Sequence, residues 1–293
     1  MFQLKKLIRV VRNVFNYYTD KQITLASAAL CYYLMMTVFP MIICLYTLLG
    51  QSYEQCLEIL SLAERFLNPD TMETLRSFLL YVSENHSTAM AIAGATVLVT
   101  SASAGMRSIQ ITIGRMQGGQ HFKGLVGYIL SMLFSLLFLA AIWFSVLVMF
   151  TSRELLSLVS DLIPFIDLSG SWHRLRYVML AGIMFLMLWA IYRIARKKGA
   201  AYHTWPGAIL ATIGIVAMSW IFSGFISASA RYSLVYGSLA SVILLMYWMY
   251  LICQVIYIGA AFNISIRDEK RLEREMKRLE EENLRKQKQN REV

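Results

Sequence analysis

Six long apolar stretches, with lysine and arginine gathered on one side of them, constrain this chain more than any motif in it. They run over Leu25–Gly50, Ala89–Ile113, Leu125–Phe150, Tyr177–Ala195, Trp205–Ser229 and Leu234–Phe262. The shortest holds 19 residues, about 28 Å of helix at 1.5 Å per residue, and a bilayer core is about 30 Å thick. The expected fold class is all-α: a polytopic membrane protein with six transmembrane helices, an N-terminal interfacial amphipathic helix and short external amphipathic helices. Three parts are expected: residues 1–20 as the interfacial helix, 21–266 as the transmembrane domain and 267–293 as a charged cytoplasmic tail.

Orientation follows from the cations. With the N-terminus in the cytoplasm, 22 of the 28 Lys and Arg residues fall on the inner side, ten of them after Ile266. Arg65, Arg76, Arg153, Arg174, Arg176 and Arg231 remain outside. The positive-inside bias therefore predicts a multi-pass protein with both termini in the cytoplasm. A net charge of +10 could suggest nucleic acid. The excess sits at the cytoplasmic ends of helices, where anionic headgroups attract it, so membrane lipids are the expected partners and nucleic acid is not. Four cysteines are too few for a disulfide framework. The first apolar stretch is too long for a signal-peptide core and lacks a small-x-small cleavage site, so it is expected to stay in the mature protein.

Residues 2–18 place Leu4, Leu7, Ile8, Val11, Val14, Phe15 and Tyr18 at helical spacing opposite Lys5, Lys6, Arg9 and Arg12. Such a helix lies in the membrane interface, as an orientation anchor or as a gate. Pro40 interrupts the first span and is expected to kink it, because proline removes one helical hydrogen bond. Between residues 51 and 86, two short amphipathic helices flank an Asn68-Pro69-Asp70 break and either cap the bundle or cover a cavity. The loop Thr151–Arg176 carries another such pattern before Pro164. After Ile266, Glu273–Lys277, Glu281–Arg285 and Glu282–Lys286 are helix-favouring pairs of a solvated extension. Its heptad pattern is too short for a coiled coil, although the tail could dock a cytoplasmic partner, and small-residue runs leave room for a homo-oligomer.

The second span changes character at Thr100, reading Thr-Ser-Ala-Ser-Ala-Gly-Met-Arg-Ser through Ser108. Small residues let helices approach closely and hydroxyls bond across the gap. Arg107 either snorkels to the cytoplasmic headgroups or lines an inward-facing cavity. In the fifth span Ser219, Ser223 and Ser227 recur every four residues. In the sixth, Tyr247, Tyr250, Gln254 and Tyr257 share one face, with Tyr236 further out on it. A lipid-facing stripe of this kind is costly, so it is expected to face the bundle, as helix–helix glue or as the lining of a polar cavity. Arg231, outside, either contacts an anionic headgroup or rests at the interface.

Catalytic constellations are not found in the sequence. The four histidines are scattered over expected loops and no Cys/His cluster has zinc spacing. The expected spans carry no carboxylate, which disfavours simple proton coupling. No cofactor or metal is expected.

Several segments together resemble the YihY/BrkB family of bacterial inner-membrane proteins, once labelled ribonuclease BN. They are Leu25-Ala-Ser-Ala-Ala-Leu-Cys-Tyr-Tyr33 with Phe39-Pro40, Tyr192-Arg193, and Trp205-Pro-Gly-Ala208. Further along come Tyr232-Ser-Leu-Val-Tyr-Gly-Ser-Leu239, Trp248-Met-Tyr250 and Gly259-Ala-Ala-Phe-Asn263. Two departures stand out. The family commonly ends its last span Gly-Ala-Glu-Leu-Asn, where Ala261 and Phe262 stand here, and it tends to have Leu-Asn after the second span, where Ile113-Gly114 stand. The resemblance implies a six-helix protein of the bacterial inner membrane with virulence-factor and transporter-like associations. The old nuclease label finds no support, since a phosphodiesterase needs metal ligands or a base beside a basic cleft.

These features point to a non-enzymatic plasma-membrane protein that transports or holds an amphipathic, anionic molecule such as a lipid. Tyr236, Tyr247, Tyr250, Gln254, Tyr257 and the Ser219, Ser223, Ser227 stripe would line its cavity, with Arg107 and Arg231 as headgroup contacts. The alternative is a membrane scaffold, or an envelope-integrity or virulence-associated protein, whose polar stripes only join helices.

Overall fold

The computed structural model describes residues 2–49, 52–61, 69–118, 168–196, 202–228 and 238–289, with helical positions 129, 131–133, 135–137, 139–141 and 144. Every regular element among them is a helix: α1 (Phe2–Asp20), α2 (Ile23–Leu48), α3 (Tyr53–Ser61), α4 (Pro69–Glu84) and α5 (Thr88–Met116) come first. The helical stretch Ser131–Ala141 is α6. Then follow α7 (Leu168–Ile194), α8 (Trp205–Ala228) and α9 (Ser238–Gln289). Among the described residues four helices are long and apolar enough to cross a membrane: Ile23–Leu48, Thr88–Met116, Trp205–Gly224 and Val242–Glu282. Two shorter apolar helices, Ser131–Ala141 and Val178–Ile194, fall within the stretches expected as the third and fourth spans. The chain is thus a helical, multi-pass membrane protein, and its surface fits that solvent. Ile92, Leu133, Leu186, Ile213, Trp220 and Ile243 are all exposed, an outward apolar belt suited to lipid rather than water.

At the centre α2 and α5 run antiparallel in close contact. Gly94 packs on Ile43, and Gly105 on Leu30 and Tyr33. Smallness is required at Gly94, where a methyl group would run into Ile43. Ser87 caps α5 by accepting from the Met90 amide at 3.2 Å. Hydroxyls and one amide tie α5 to α6: Ser103 and Ser135 lie 2.9 Å apart, and the Ser131 hydroxyl donates to Gln110 at 2.9 Å. α2 passes through Pro40 as a single helix. At the far end, α3 and α4 cover it, burying Cys56, Leu75, Leu79 and Val82 against Ile42, Leu45 and Tyr46.

α8 and α9 also cross antiparallel. A side chain on Gly207 would overlap the Gly259 carbonyl and Asn263, and one on Gly214 would meet Val255. Asn263 closes this crossing. Its Oδ1 accepts from the Gly207 amide at 2.7 Å and its Nδ2 donates to the Thr204 carbonyl at 2.9 Å. The Tyr192 hydroxyl of α7 adds a third tie, donating to the Ile256 carbonyl at 2.6 Å.

The charged end is a collar. α9 continues unbroken past Ile266, and its first charged turn is not solvated as the sequence suggested. Glu269 is buried and pairs with Arg9 of α1 at 3.0 Å. The Tyr17 hydroxyl donates to Asp268 at 2.6 Å, and Arg267 stacks over Tyr202. α1 therefore turns Val10, Val14, Tyr17 and Tyr18 inward, while Ile8, Val11 and Phe15 stay exposed. Burial, then Asp268, raises the Tyr17 phenol above its usual range, and burial pushes Tyr202 up to about 12 from 10.0 against the pull of Arg267 and Arg196. A raised phenol stabilises the fold while protonated, so this contribution is complete below pH 10 and is lost as pH climbs toward 12. Phenolate absorbance, followed with helix content, should show a late-titrating group at position 202 that disappears in Tyr202→Phe.

Candidate functional site

Arg107 does not stand alone. It lies in the wall of a 520 Å³ cavity between α2 and α5, at the charged end of the bundle, together with Lys21 and Arg115. Gln22, Tyr33, Thr100, Ser108 and Thr112 supply polar groups, and Leu25, Ala26, Ala29, Ala104 and Ile111 an apolar flank. Among the described residues no carboxylate or imidazole belongs to this wall; Asp20, next in sequence to Lys21, is exposed outside it.

Local structure explains the arrangement. On α5, positions 100, 104, 107, 108, 111, 112 and 115 recur at three- and four-residue spacing, so they form one stripe. On α2, positions 22, 25, 26, 29 and 33 do the same, and the alanines keep that wall thin. Gln22 between α1 and α2 is left-handed (φ 51°, ψ 46°), a turn that places Lys21 at the rim. Its side chain makes no capping bond to α2. The amino-terminal end of α2 borders the cavity through Gln22, Leu25 and Ala26. Arg107 is half-buried and Arg115 exposed, so the cavity grades from interior to surface. Such a site can hold an anion, with hydroxyls as donors and an apolar strip beside it.

The other expected site residues are dispersed. Tyr257 is fully buried in the core, and its hydroxyl stands beside Ser108 and Thr112, behind the cavity wall. Tyr250 and Gln254 are half-buried, Tyr250 packing on the same core. Tyr247 is exposed, its ring 6.4 Å from that of Tyr250. Ser219 is buried and Ser223 half-buried, and Ser227 belongs to α8. Tyr236 and Arg231 lie outside the described residues, as does the helix expected before Pro164. None of the described tyrosines or serines of the two stripes lines the cationic cavity. One expectation needs correcting: His173 lies within α7, not in a loop, because that helix begins at Leu168. Among the described residues no group of three His, Cys, Asp or Glu could hold a metal ion.

A family profile described as virulence factor BrkB matches residues 14–284. The chain belongs to the BrkB family. Among curated proteins, the BrkB chain is 28% identical to the ribonuclease-like protein YfkH of Bacillus subtilis, over 89% of this chain and 96% of that one. It is 32% identical to a UPF0761 membrane protein of Aromatoleum aromaticum, over 33% of this chain and 25% of that one. No solved structure matches it. The segments that carry the family resemblance have separate positions in space. Leu25, Ala26, Ala29 and Tyr33 line the cavity, whereas Tyr192, Gly207, Gly259 and Asn263 make the α7–α8–α9 crossing.

Sequence reasoning singled out Arg107 and the polar run before it but counted Lys21 and Arg115 only toward orientation. The stripe from Thr100 to Arg115 was the available signal. Its pairing with the alanine face of α2 requires knowing which helices pack together.

Proposed function

We propose that this BrkB protein is a six-span, non-enzymatic protein of the bacterial plasma membrane, with both termini in the cytoplasm, that takes up an anionic amphipathic molecule and moves it between leaflets. The observation that carries this reading is a cavity lined by Lys21, Arg107 and Arg115, with no carboxylate among its described residues, beside an apolar strip at Leu25 and Ile111. A phosphate-bearing headgroup is attracted by the cations, and the strip accommodates the start of its hydrocarbon. The six-span reading is supported by the gathering of Arg9, Lys21, Arg115, Arg196 and Arg267 toward the end where α1 meets α9, which the positive-inside bias assigns to the cytoplasm.

Reconstitution in liposomes tests it. Fluorescent phosphatidylglycerol should cross the bilayer faster with the protein than without, and faster than phosphatidylcholine. The Lys21→Gln/Arg107→Gln/Arg115→Gln variant should lose most of that acceleration. Acceleration equal for both lipids, or unchanged in the variant, would overturn the reading. Wild type that accelerates neither lipid, combined with loss of cellular function on deleting residues 270–293, would favour a scaffold.

A further inference from the structure

We infer that the bundle also holds an acyl chain of a bilayer lipid, in an apolar cavity that is separate from the cationic one and enters from the side. A space of 320 Å³ lies among α2, α5, α6, α7, α8 and α9, across the α2–α5 seam from Arg107. The partition between the two is the layer of Leu30, Tyr33 and Gly105. A second apolar space of 420 Å³ adjoins it, sharing Met106, Ile183, Met187 and Ile191 in its wall. This outer space reaches Leu137, Phe144 and Leu186, which are exposed on the belt that faces lipid. The inner space is thus one layer of side chains from the outer one, and the acyl chain's entry lies between α6 and α7, past the flexible Met106 and Met187.

Its chemistry selects hydrocarbon. Thr37 and Ser135 are the hydroxyls of the inner wall, and both are engaged. Thr37 donates to the Leu34 carbonyl at 2.6 Å, while Ser135 donates to the Met132 carbonyl at 2.8 Å and lies 2.9 Å from Ser103. With its hydroxyls already engaged and the rest of its lining apolar, the space favours neither water nor a polar solute, and apolar cavities stay dry. Met41, Met106, Met184 and Met187 give the wall unbranched, adaptable side chains, a surface that tolerates a mobile chain. Along α2 the lining runs from Leu30 to Met41, about 16 Å of rise, so the space extends from the level of the cations toward the middle of the span. A narrow, deep, dry space opening sideways fits one alkyl chain better than a compact ligand. This site goes beyond the proposed headgroup cavity and does not depend on it.

The full-length protein in nanodiscs of phosphatidylcholine carrying a diazirine in one acyl chain provides the test. After irradiation, peptide mass spectrometry should find adducts at Met106, Met184 or Met187 as well as on the outer belt at Ile213 and Trp220. Met187→Trp and Ala102→Phe fill the space from different helices, so one remains informative if the other fails to fold. Either should cut the interior adducts at least fivefold and leave the belt adducts unchanged. Arg107→Gln/Arg115→Gln should alter neither. Adducts confined to the belt, or interior adducts indifferent to both fillings, would overturn the inference. Loss of interior adducts in the arginine variant would instead assign them to a lipid held by its headgroup.

Discussion

Reversing two charges, Arg107→Glu with Arg115→Glu, should weaken anionic-lipid binding by about a hundredfold while leaving the helices assembled. A basic residue near an anionic membrane surface contributes about 1 kcal/mol. Neutralising two therefore costs about 2 kcal/mol, and reversing them about 4 kcal/mol, before screening. Arg115 is exposed, so salt reduces its share, and a hundredfold change, about 2.7 kcal/mol, is the expected remainder. Arg107 is half-buried against α2 and should keep more of its effect as salt rises. Native mass spectrometry of lipid retained in zwitterionic nanodiscs, at low and raised ionic strength, reads both. Equal retention of phosphatidylglycerol by wild type and variant would remove the cavity from consideration as a headgroup site.

The largest loss of stability is expected from Asn263→Leu. Asn263 is 2% exposed and bonds the amide of Gly207 and the carbonyl of Thr204, both in buried residues. Leucine approximates its volume but offers neither donor nor acceptor. The Gly207 amide is then left without its partner in a place water does not reach, while the Thr204 carbonyl keeps only the Ala208 amide at 3.4 Å. An orphaned buried amide costs about 1–3 kcal/mol and the lost bond to the carbonyl about 1 kcal/mol, so the substitution should cost about 2–4 kcal/mol in all. The thermal midpoint of the detergent-solubilised protein should fall by several degrees. Gly207→Ala should act on the same crossing by overlap, since its methyl group would press on the Gly259 carbonyl and on Asn263, at about 1–3 kcal/mol. If Asn263→Leu melted together with the wild type, the crossing would not be a stability determinant.

Hydropathy made the helical membrane architecture legible because a span must be apolar along its whole length, and that is a one-dimensional property. Trp205 as the start of α8 and the break at Pro69 were equally readable, since proline at a helix start and polar residues before it act locally. The collar was not readable. Glu269 sits in a run of charges that looks solvated, and only the return of α1 over α9 brings Arg9 to it. The tyrosine face of α9 illustrates the same limit. Spacing correctly places Tyr247, Tyr250 and Tyr257 on one side of a helix, but that side passes from exposed surface to closed core along its length. Asn263 was noticed as part of a recurring segment, and its partner in the Trp205-Pro206-Gly207 turn lies 56 residues away.

The last helix runs from Ser238 to Gln289 without interruption, and this has a mechanical consequence. From Glu269, where the collar grips it, to Gln289 the helix projects about 30 Å. A rod held near its middle converts rotation at the grip into displacement at the tip, and a tilt of about 10° moves the far end by about 5 Å. The Gly207–Gly259 crossing lies only ten residues before Glu269 on the same rod, so repacking of α8 against α9 inside the membrane would be reported as movement of a charged lever outside it.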